Sequence, residues 1–193
     1  SAFRSPMPNF TIAIPTPARF DGEFRIDRDL NHQPTDSEAA FLEAVDAAMD
    51  LLAADEAGDA AAGYPTTLLT GRTSARKTAA AELKADVQQL ANGQLAPAAA
   101  TERVSALRDK YLASLPKFGT KDITPPRFES DFQIVVASGY TPTAAETAYL
   151  ENLKITVDEL AADEGKDPAA NYSQSVLAMR KARRKDTATR LRS

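Results

Sequence analysis

The sequence Leu52-Ala53-Ala54-Asp55-Glu56 occurs a second time, residue for residue, as Leu160-Ala161-Ala162-Asp163-Glu164. The match is part of a longer one. When Pro8 is placed on Pro116, positions 8–84 align with 116–192 without a gap, and 30 of the 77 aligned positions are identical. A pattern that recurs at a fixed spacing is typical of a chain built from repeated structural modules. The sequence therefore predicts two homologous small modules.

Each copy opens with an aromatic pattern that predicts an extended segment, Phe20–Ile26 in the first copy and Phe128–Val136 in the second. Alternate apolar residues of these segments fall on one face of a strand. Asp21-Gly22 alone would favour a hairpin turn, but its counterpart Glu129-Ser130 is poor turn chemistry. We therefore expect one uninterrupted strand in each copy.

A helix is predicted to follow each strand. It begins at Thr35 or Thr143, because each threonine has a glutamate three residues later, which is the pattern of a capping box. Apolar residues then recur at helical spacing. Glycines at positions 58 and 165 are the predicted ends. The leucines expected in the core are Leu42, Leu52, Leu150 and Leu160.

Two further helical segments are predicted in the first copy, one from Ser74 to Asn92 and one over Pro97–Leu115. In the second copy, Asp167-Pro168 is typical of a helix start, and that helix would run into the C-terminal end. The chain stops before a counterpart of Pro97–Leu115. We therefore expect one helix without a match and a groove left unfilled in the second module.

The fold class that follows is mainly α, with two homologous helical modules, each carrying a short extended or β segment at its N-terminus. The predicted divisions are an arm at 1–16, a first module at 17–115 and a second at 116–193. The arm contains three prolines and one short apolar run, so it is not expected to bury itself. We expect a partner to hold it through Phe10, Ile12 and Ile14.

Composition excludes several classes of chemistry. The chain has no cysteine, which rules out disulfides, thiolate catalysis and cysteine-based zinc sites. No apolar run approaches the length of a membrane span, and the N-terminus has no signal-peptide core. The expectation is therefore a protein without a membrane partner, located in the cytoplasm or in a virion.

Charge is distributed unevenly along the chain. The net charge is −4, yet residues 180–192 contain seven lysines and arginines and a single aspartate. Such a basic end predicts an acidic partner, either nucleic acid or the acidic body of a neighbouring copy. Three of the seven align with basic residues inside the first module, so part of this charge belongs to the framework. The candidate partner-binding residues here are Arg180, Lys181, Arg183, Arg184, Lys185, Arg190 and Arg192.

Acidic residues gather at the end of the first helix of each copy, where the helix dipole favours cations. Two interpretations are open, ion pairs with the basic residues that follow, or a divalent cation held by oxygen ligands. The spacing does not match an EF-hand loop. The clusters are Asp50, Asp55, Glu56 and Asp59 in the first copy and Asp158, Asp163, Glu164 and Asp167 in the second.

No catalytic constellation is evident. His32 is the only histidine and its counterpart is Tyr140, so a triad or a histidine-bearing metal site lacks support from the second copy. The repeated pairs Arg19-Phe20 and Arg127-Phe128 could stack on a base but are also typical of a core aromatic beside a surface arginine. No residue is assigned to a cofactor or a metal. We expect a non-enzymatic structural protein within a larger assembly, such as a phage or virus head, neck or decoration protein. The alternative is a nucleic-acid-binding or packaging protein that uses the basic C-terminus.

Overall fold

The computed structural model describes residues 8–193 and is mainly helical. Contacts divide the chain into two compact units. The first consists of residues up to Gly63 together with Leu69–Leu115, and the second of Tyr64–Leu68 together with Pro116–Ser193. Within the described residues, no helix is both long enough and apolar enough to cross a membrane.

The first unit carries a two-stranded antiparallel sheet and three helices. In the sheet, Phe10 lies opposite Arg28 and Ile12 opposite Ile26. Two strands alone are marginally stable in water, so the sheet depends on the core beneath it. The elements are β1 (Phe10–Ala13), β2 (Arg25–Arg28), α1 (Asp36–Ala62), α2 (Thr66–Ala91, whose first three residues are counted with the second unit) and α3 (Pro97–Ser114).

The second unit carries another two-stranded antiparallel sheet, with Phe118 opposite Val136 and Thr120 opposite Ile134. Its first strand and both of its α-helices begin at the positions that align with the first residues of β1, α1 and α2. A short 3-10 helix, Asp167–Ala169, lies between the two α-helices. The remaining elements are β3 (Phe118–Asp122), β4 (Phe132–Val136), α4 (Ala144–Lys166) and α5 (Gln174–Arg192).

The predicted starts of α1 and α4 are confirmed. Thr35 accepts a hydrogen bond from the backbone N–H of Glu38, whose side chain accepts one from the Thr35 N–H, and Thr143 and Glu146 do the same. Each box satisfies two backbone donors that the first turn would otherwise leave free.

The predicted helix ends are wrong. Residue 58 lies inside α1, which continues to Ala62 and is closed by Gly63 at φ 60°. Residue 165 lies inside α4. Asn171, the counterpart of Gly63, also has a positive φ, 49°. Glycine and asparagine tolerate this left-handed conformation best, which explains why the chain turns at these two positions.

The uninterrupted strands predicted for Phe20–Ile26 and Phe128–Val136 are also corrected. Both segments begin with a turn, closed by hydrogen bonds from the Glu23 N–H to Phe20 and from the Asp131 N–H to Phe128, 3.2 Å each. The turn needs a left-handed residue, and Gly22 (φ 95°) and Ser130 (φ 73°) occupy that position. Serine therefore forms the turn that the sequence alone disfavours.

The core of the first unit is shared by its three helices. Helix α1 contributes Phe41, Val45, Met49 and Leu52, each at most 3% exposed, and α2 contributes Ala79, Ala80, Leu83, Val87 and Leu90. Helix α3 packs along α1 and contributes four further buried residues, Ala100, Val104, Leu107 and Tyr111. The core of the second unit is smaller and consists of Phe128, Phe132, Leu153, Val157 and Ala188. Of the four leucines expected in the core, Leu52 is fully buried, while Leu42, Leu150 and Leu160 are partly buried.

The face that α3 covers in the first unit is more polar in the second. Val104 and Leu107 line a small cavity together with Ala48, Leu51 and Ala79. The counterparts of these last three residues are Thr156, Glu159 and Thr187, whereas Leu52 and Leu83, which line the same cavity, have the apolar counterparts Leu160 and Leu191. The corresponding surface of the second unit is therefore partly polar, and the unfilled groove stays a prediction.

The arm predicted for residues 1–16 is described only from Pro8 onward, and the described part does not behave as a free arm. Phe10–Ala13 form β1, and Phe10 is 3% exposed in the core of the first unit. The short apolar run finds its partner in β2, beyond the turn at Gly22. The prolines near this run suggest an unstructured arm, and the local sequence does not show that the run pairs with a strand more than ten residues away.

Candidate interaction site

The acidic end of α1 is neutralised by two arginines of α2. Asp59, 3% exposed, accepts hydrogen bonds from Arg72 Nε and Arg76 Nη1, each at 2.5 Å. Asp55 accepts a further bond from Arg76 Nη1 at 2.9 Å, and Tyr111 of α3 donates its hydroxyl to the same carboxylate. A buried charge is tolerated only when it is paired in this way.

The second unit contains the same arrangement. Asp167 accepts from Arg180 Nε at 2.7 Å and from Arg184 Nη2 at 2.5 Å. Asp163 accepts from Arg180 and Arg184 at 2.6 and 2.7 Å. The hydrogen bond from Arg184, followed by that from Arg180, holds the pKa of Asp163 below its ordinary value although burial opposes this. Asp163 therefore remains a charged partner of both arginines.

The ion-pair interpretation is confirmed, because at least one carboxylate of each cluster lies within ion-pair distance of the basic residues of its own module. Among residues 8–193, no group of three or more acidic, histidine or cysteine side chains is arranged to hold a metal ion. The clusters thus fasten the first long helix of each unit to the second.

The two Arg-Phe pairs are part of the framework as well. Arg19 pairs with Asp50 and Arg127 with Asp158, both at 2.7 Å. Phe20 and Phe128 are each 4% exposed. A buried ring cannot stack on a base, so these pairs do not form the nucleic-acid contact that their sequence also allowed.

Four of the basic candidates of α5 form ion pairs with acidic residues of the second unit. Arg180 and Arg184 belong to the network with Asp163 and Asp167. Lys185 Nζ lies 2.5 Å from Glu129, and Lys181 lies 3.6 Å from the same carboxylate. The structure brings these candidates together around internal partners.

The last three basic candidates differ in exposure, and the side chain of Arg192 is only 28% exposed. Arg190 pairs with Asp186 one turn earlier at 3.0 Å, and Arg192 pairs with Asp122 of β3. Arg183 is exposed. Surface pairs of this kind contribute little stability, about 0–1 kcal/mol, and they reduce the positive charge that this helix presents.

The N-terminal candidates divide into buried and exposed side chains. Phe10 is in the core, Ile12 is partly buried against it, and Ile14 is 61% exposed. Only Ile14 of the three offers most of its side chain. Leu30, which follows β2, is 92% exposed, and no sequence pattern singles it out.

An edge contact on β3 is not evident from the sequence alone. The Thr67 hydroxyl accepts a hydrogen bond from the Thr120 N–H and donates one to the Thr120 carbonyl, 3.1 Å each. Tyr64 accepts one at its hydroxyl from the Ser138 N–H. An unpaired strand edge can pair with another chain. Residues Tyr64–Leu68 cover the outer edge of β3. The signal that could have found this contact is the tyrosine repeated at positions 64 and 172.

The second unit also contains an apolar groove of about 490 Å³ between β4 and α4. Ile134, Val136 and Leu150 are among its apolar lining residues, and Arg127 and Asp158, which form an ion pair, also line it. The hydrogen bond from Arg127, followed by that from Lys154, holds the pKa of Asp158 below its ordinary value. The lining of the groove therefore combines apolar side chains with a charged pair.

His32 is a structural side chain. Its Nε2 lies 3.1 Å from Glu38, the capping-box glutamate, and its ring stands edge-on to Phe10 with centroids 5.2 Å apart. Tyr140, its counterpart, donates its hydroxyl to Glu146 at 2.6 Å and stands edge-on to Phe118. In both units this position braces the start of a long helix.

Comparison with known proteins gives no relative for this chain. It matches no protein family, no curated protein and no solved structure.

Proposed function

We propose that this chain is a non-enzymatic structural subunit of a larger protein assembly, built from two copies of one helical module. The observation that carries the proposal is the repeated framework of ion pairs. In both units the charged residues that could have formed a reactive or ligand-binding cluster are engaged in fastening α1 to α2 or α4 to α5. Their carboxylates and guanidinium Nη atoms are paired within the chain, while the buried Nε atoms of Arg76 and Arg184 have no hydrogen-bond partner among the described residues.

The duplication supports the same proposal. Thirty identities over 77 ungapped positions, together with capping boxes and ion pairs that recur at aligned positions of the two copies, favour two modules of common origin. A repeated module presents related surfaces twice, which is useful to a subunit that contacts several neighbours. A virion head, neck or decoration protein is the class of assembly we favour, in keeping with a small chain that lacks cysteine.

Apolar side chains that face solvent supply contact points for neighbours. In the first unit these are Ile14, Leu30 and Leu112, and in the second Tyr149, Ile155, Tyr172 and Met179. They lie at strand edges, in connectors and on helix faces, and single exposed apolar residues are common on monomers. The subunit contacts we propose are therefore modest in area and repeated in number.

The alternative, nucleic-acid binding through the basic C-terminus, is less favoured. Arg180, Arg184 and Lys185 are already engaged with carboxylates of the second unit. Phosphate binding gains from releasing counterions around free cations, and an arginine held by two aspartates offers less to a phosphate.

The experiment is sedimentation of the protein from lysed cells or particles of its natural source. We expect it to travel with structures many times larger than one chain, both before and after nuclease treatment. Sedimentation as a free single chain would overturn the proposal. Loss of the large species on nuclease treatment would overturn it in favour of the nucleic-acid alternative.

A further inference from the structure

The contact that covers the edge of β3 supplies a template for a contact between copies of this chain. Within the second unit, Thr67 bonds both backbone groups of Thr120, Tyr64 accepts from the Ser138 N–H, and Leu68 is fully buried. Two side chains and one apolar residue thus occupy the outer edge of a two-stranded sheet.

The segment that aligns with Tyr64–Leu68 in the second copy is residues 172–176. It keeps the tyrosine at 172, a hydroxyl at 175 in place of that of Thr67, and an apolar residue at 176 in place of Leu68. There it faces solvent: Tyr172 is 41% exposed, and Ser175 is exposed. The groups that serve the β3 edge are therefore present a second time and accessible.

The matching edge lies in the first unit. In the alignment of the two copies, Thr120 falls on Ile12 in β1, and Ser138 falls on Leu30 after β2. Ile12 pairs with Ile26 as Thr120 pairs with Ile134, so its backbone N–H and C=O point to the outer edge of β1 in the same manner. Leu30 is 92% exposed.

We propose that residues 172–176 of one copy dock on the outer edge of β1 in a second copy. Ser175 bonds the backbone N–H and C=O of Ile12, the Tyr172 hydroxyl accepts from the Leu30 N–H, and Val176 packs on the strand. The two surfaces differ, so the interface is head-to-tail and joins chains into a ring or a filament. This inference rests on the proposed function, because it names the partner of an assembly subunit as another copy of itself.

The residue that replaces Gly119 in the first copy should make the proposed contact between chains weaker than the contact within the second unit. A Cβ on Gly119 would stand 2.9 Å from Leu68 Cβ, 3.1 Å from the Thr67 hydroxyl and 3.3 Å from Pro65 Cγ. The counterpart of Gly119 is Thr11, which has a side chain at that place. Serine and valine at 173 and 176 are smaller than Pro65 and Leu68 and relieve part of the crowding. The association is therefore weak and depends on concentration.

Because the chain contains no cysteine, introduced thiols report the contact cleanly. We would prepare the full chain with Thr11→Cys, the full chain with Ser175→Cys, and a control with Ser74→Cys, an exposed serine of α2. The Thr67 hydroxyl lies 3.1 Å from the Cβ position of residue 119, so sulfurs at 11 and 175 are within reach of a disulfide.

Under mild oxidation, a mixture of the Thr11→Cys and Ser175→Cys chains is expected to give a linked pair about ten times faster than either does with Ser74→Cys. A chain that carries both substitutions is expected to give a ladder of multiples. Equal rates with the control would overturn the inference.

A second measurement uses chains without thiols. Thr11→Gly removes the crowding and is expected to tighten self-association about tenfold in sedimentation velocity, while Ser175→Ala weakens it. Self-association that neither substitution moves would overturn this interface and leave the assembly role intact. The chain could also sediment in large particles from its source and yet fail to form the cross-link. That result would overturn this interface but leave the proposed function intact, with another protein as the neighbour.

Discussion

Tyr111 of α3 donates its hydroxyl to Asp55 of α1, the carboxylate that also receives Arg72 and Arg76. The side chain of Asp55 is 19% exposed, whereas that of its counterpart Asp163 is 43% exposed. Helix α3 therefore completes the network of the first unit by supplying both a donor and a cover. In the second unit, the counterpart carboxylate, that of Asp163, is partly exposed to solvent.

Titration of Tyr111 is the first consequence. Burial, followed by the hydrogen bond to Asp55, raises the pKa of Tyr111 well above its ordinary value of about 10. The phenol stays protonated in the folded chain when an unfolded one would ionise. The stability that the protonated Tyr111 phenol contributes is therefore fully present below about pH 10. This stability is lost as the pH rises toward the pKa of Tyr111 in the folded chain. Ultraviolet absorbance should show a late phase of tyrosine ionisation that belongs to Tyr111.

The control for this titration is Tyr111→Phe, which should remove this late phase and leave the earlier ones unchanged. Tyr140, bonded to Glu146 near the surface, also has a raised pKa and should remain visible in the variant. A titration in which Tyr111→Phe removes an early phase would contradict the hydrogen bond to Asp55.

Removal of a buried arginine should cost more in the first unit than in the second. Arg76 and Arg184 are equivalent, 2% and 4% exposed, but Arg76 serves Asp55 and Asp59, which are better shielded than Asp163 and Asp167. An unpaired buried carboxylate is costly, so Arg76→Met should lower the free energy of unfolding by about 3 kcal/mol. Arg184→Met should cost less, because Asp163 can regain water. Urea unfolding followed by circular dichroism measures both, and a larger cost for Arg184→Met would contradict this account.

The capping boxes and ion pairs were predictable because they depend on short spacings and on charges that the helix dipole disfavours. Thr35 and Glu38 are three residues apart, and nothing distant is needed to bring them together. The acidic cluster ending α1 required a cation nearby, and Arg72, Arg76 and Lys77 are basic residues that follow it and have basic counterparts in the second copy. The repeat made each inference more specific, because both copies had to satisfy it.

The strand β1 and the edge of β3 were not predicted because both depend on residues far apart in the chain. Phe10 meets its partner strand only after the turn at Gly22, and Thr67 reaches Thr120 across 53 positions. A usable signal did exist for β1. The alignment of the two copies extends back to Pro8, with Phe10 matching Phe118, which indicates that this stretch belongs to the module.

The close approach at Gly119 should make that residue intolerant of a side chain. Alanine would place its Cβ 2.9 Å from Leu68 Cβ, closer than two carbon atoms can lie without movement. Gly119→Ala should therefore destabilise the second unit by about 1–3 kcal/mol. Gly58→Ala is the matched control, since that glycine lies inside α1 with open space around it. It should stabilise the protein by roughly 0.5–1 kcal/mol through helix propensity. Thermal unfolding of the two variants should shift in opposite directions, and a shared direction would count against the contact.

The turn at Ser130, between β3 and β4, should be improved by glycine. Ser130 has φ 73°, and its counterpart Gly22 has φ 95°. A left-handed conformation costs a residue with a Cβ roughly 1–2 kcal/mol relative to glycine, while glycine loses some of that advantage to the greater freedom of its unfolded chain. Ser130→Gly should therefore raise the free energy of unfolding by about 0.5–1 kcal/mol. Gly22→Ala should lower it, because alanine meets the strain and a neighbouring Ala80 Cβ at 3.4 Å. Urea denaturation of the two variants gives both values, and a loss of stability in Ser130→Gly would mean that the serine side chain contributes a contact worth more than the strain it imposes.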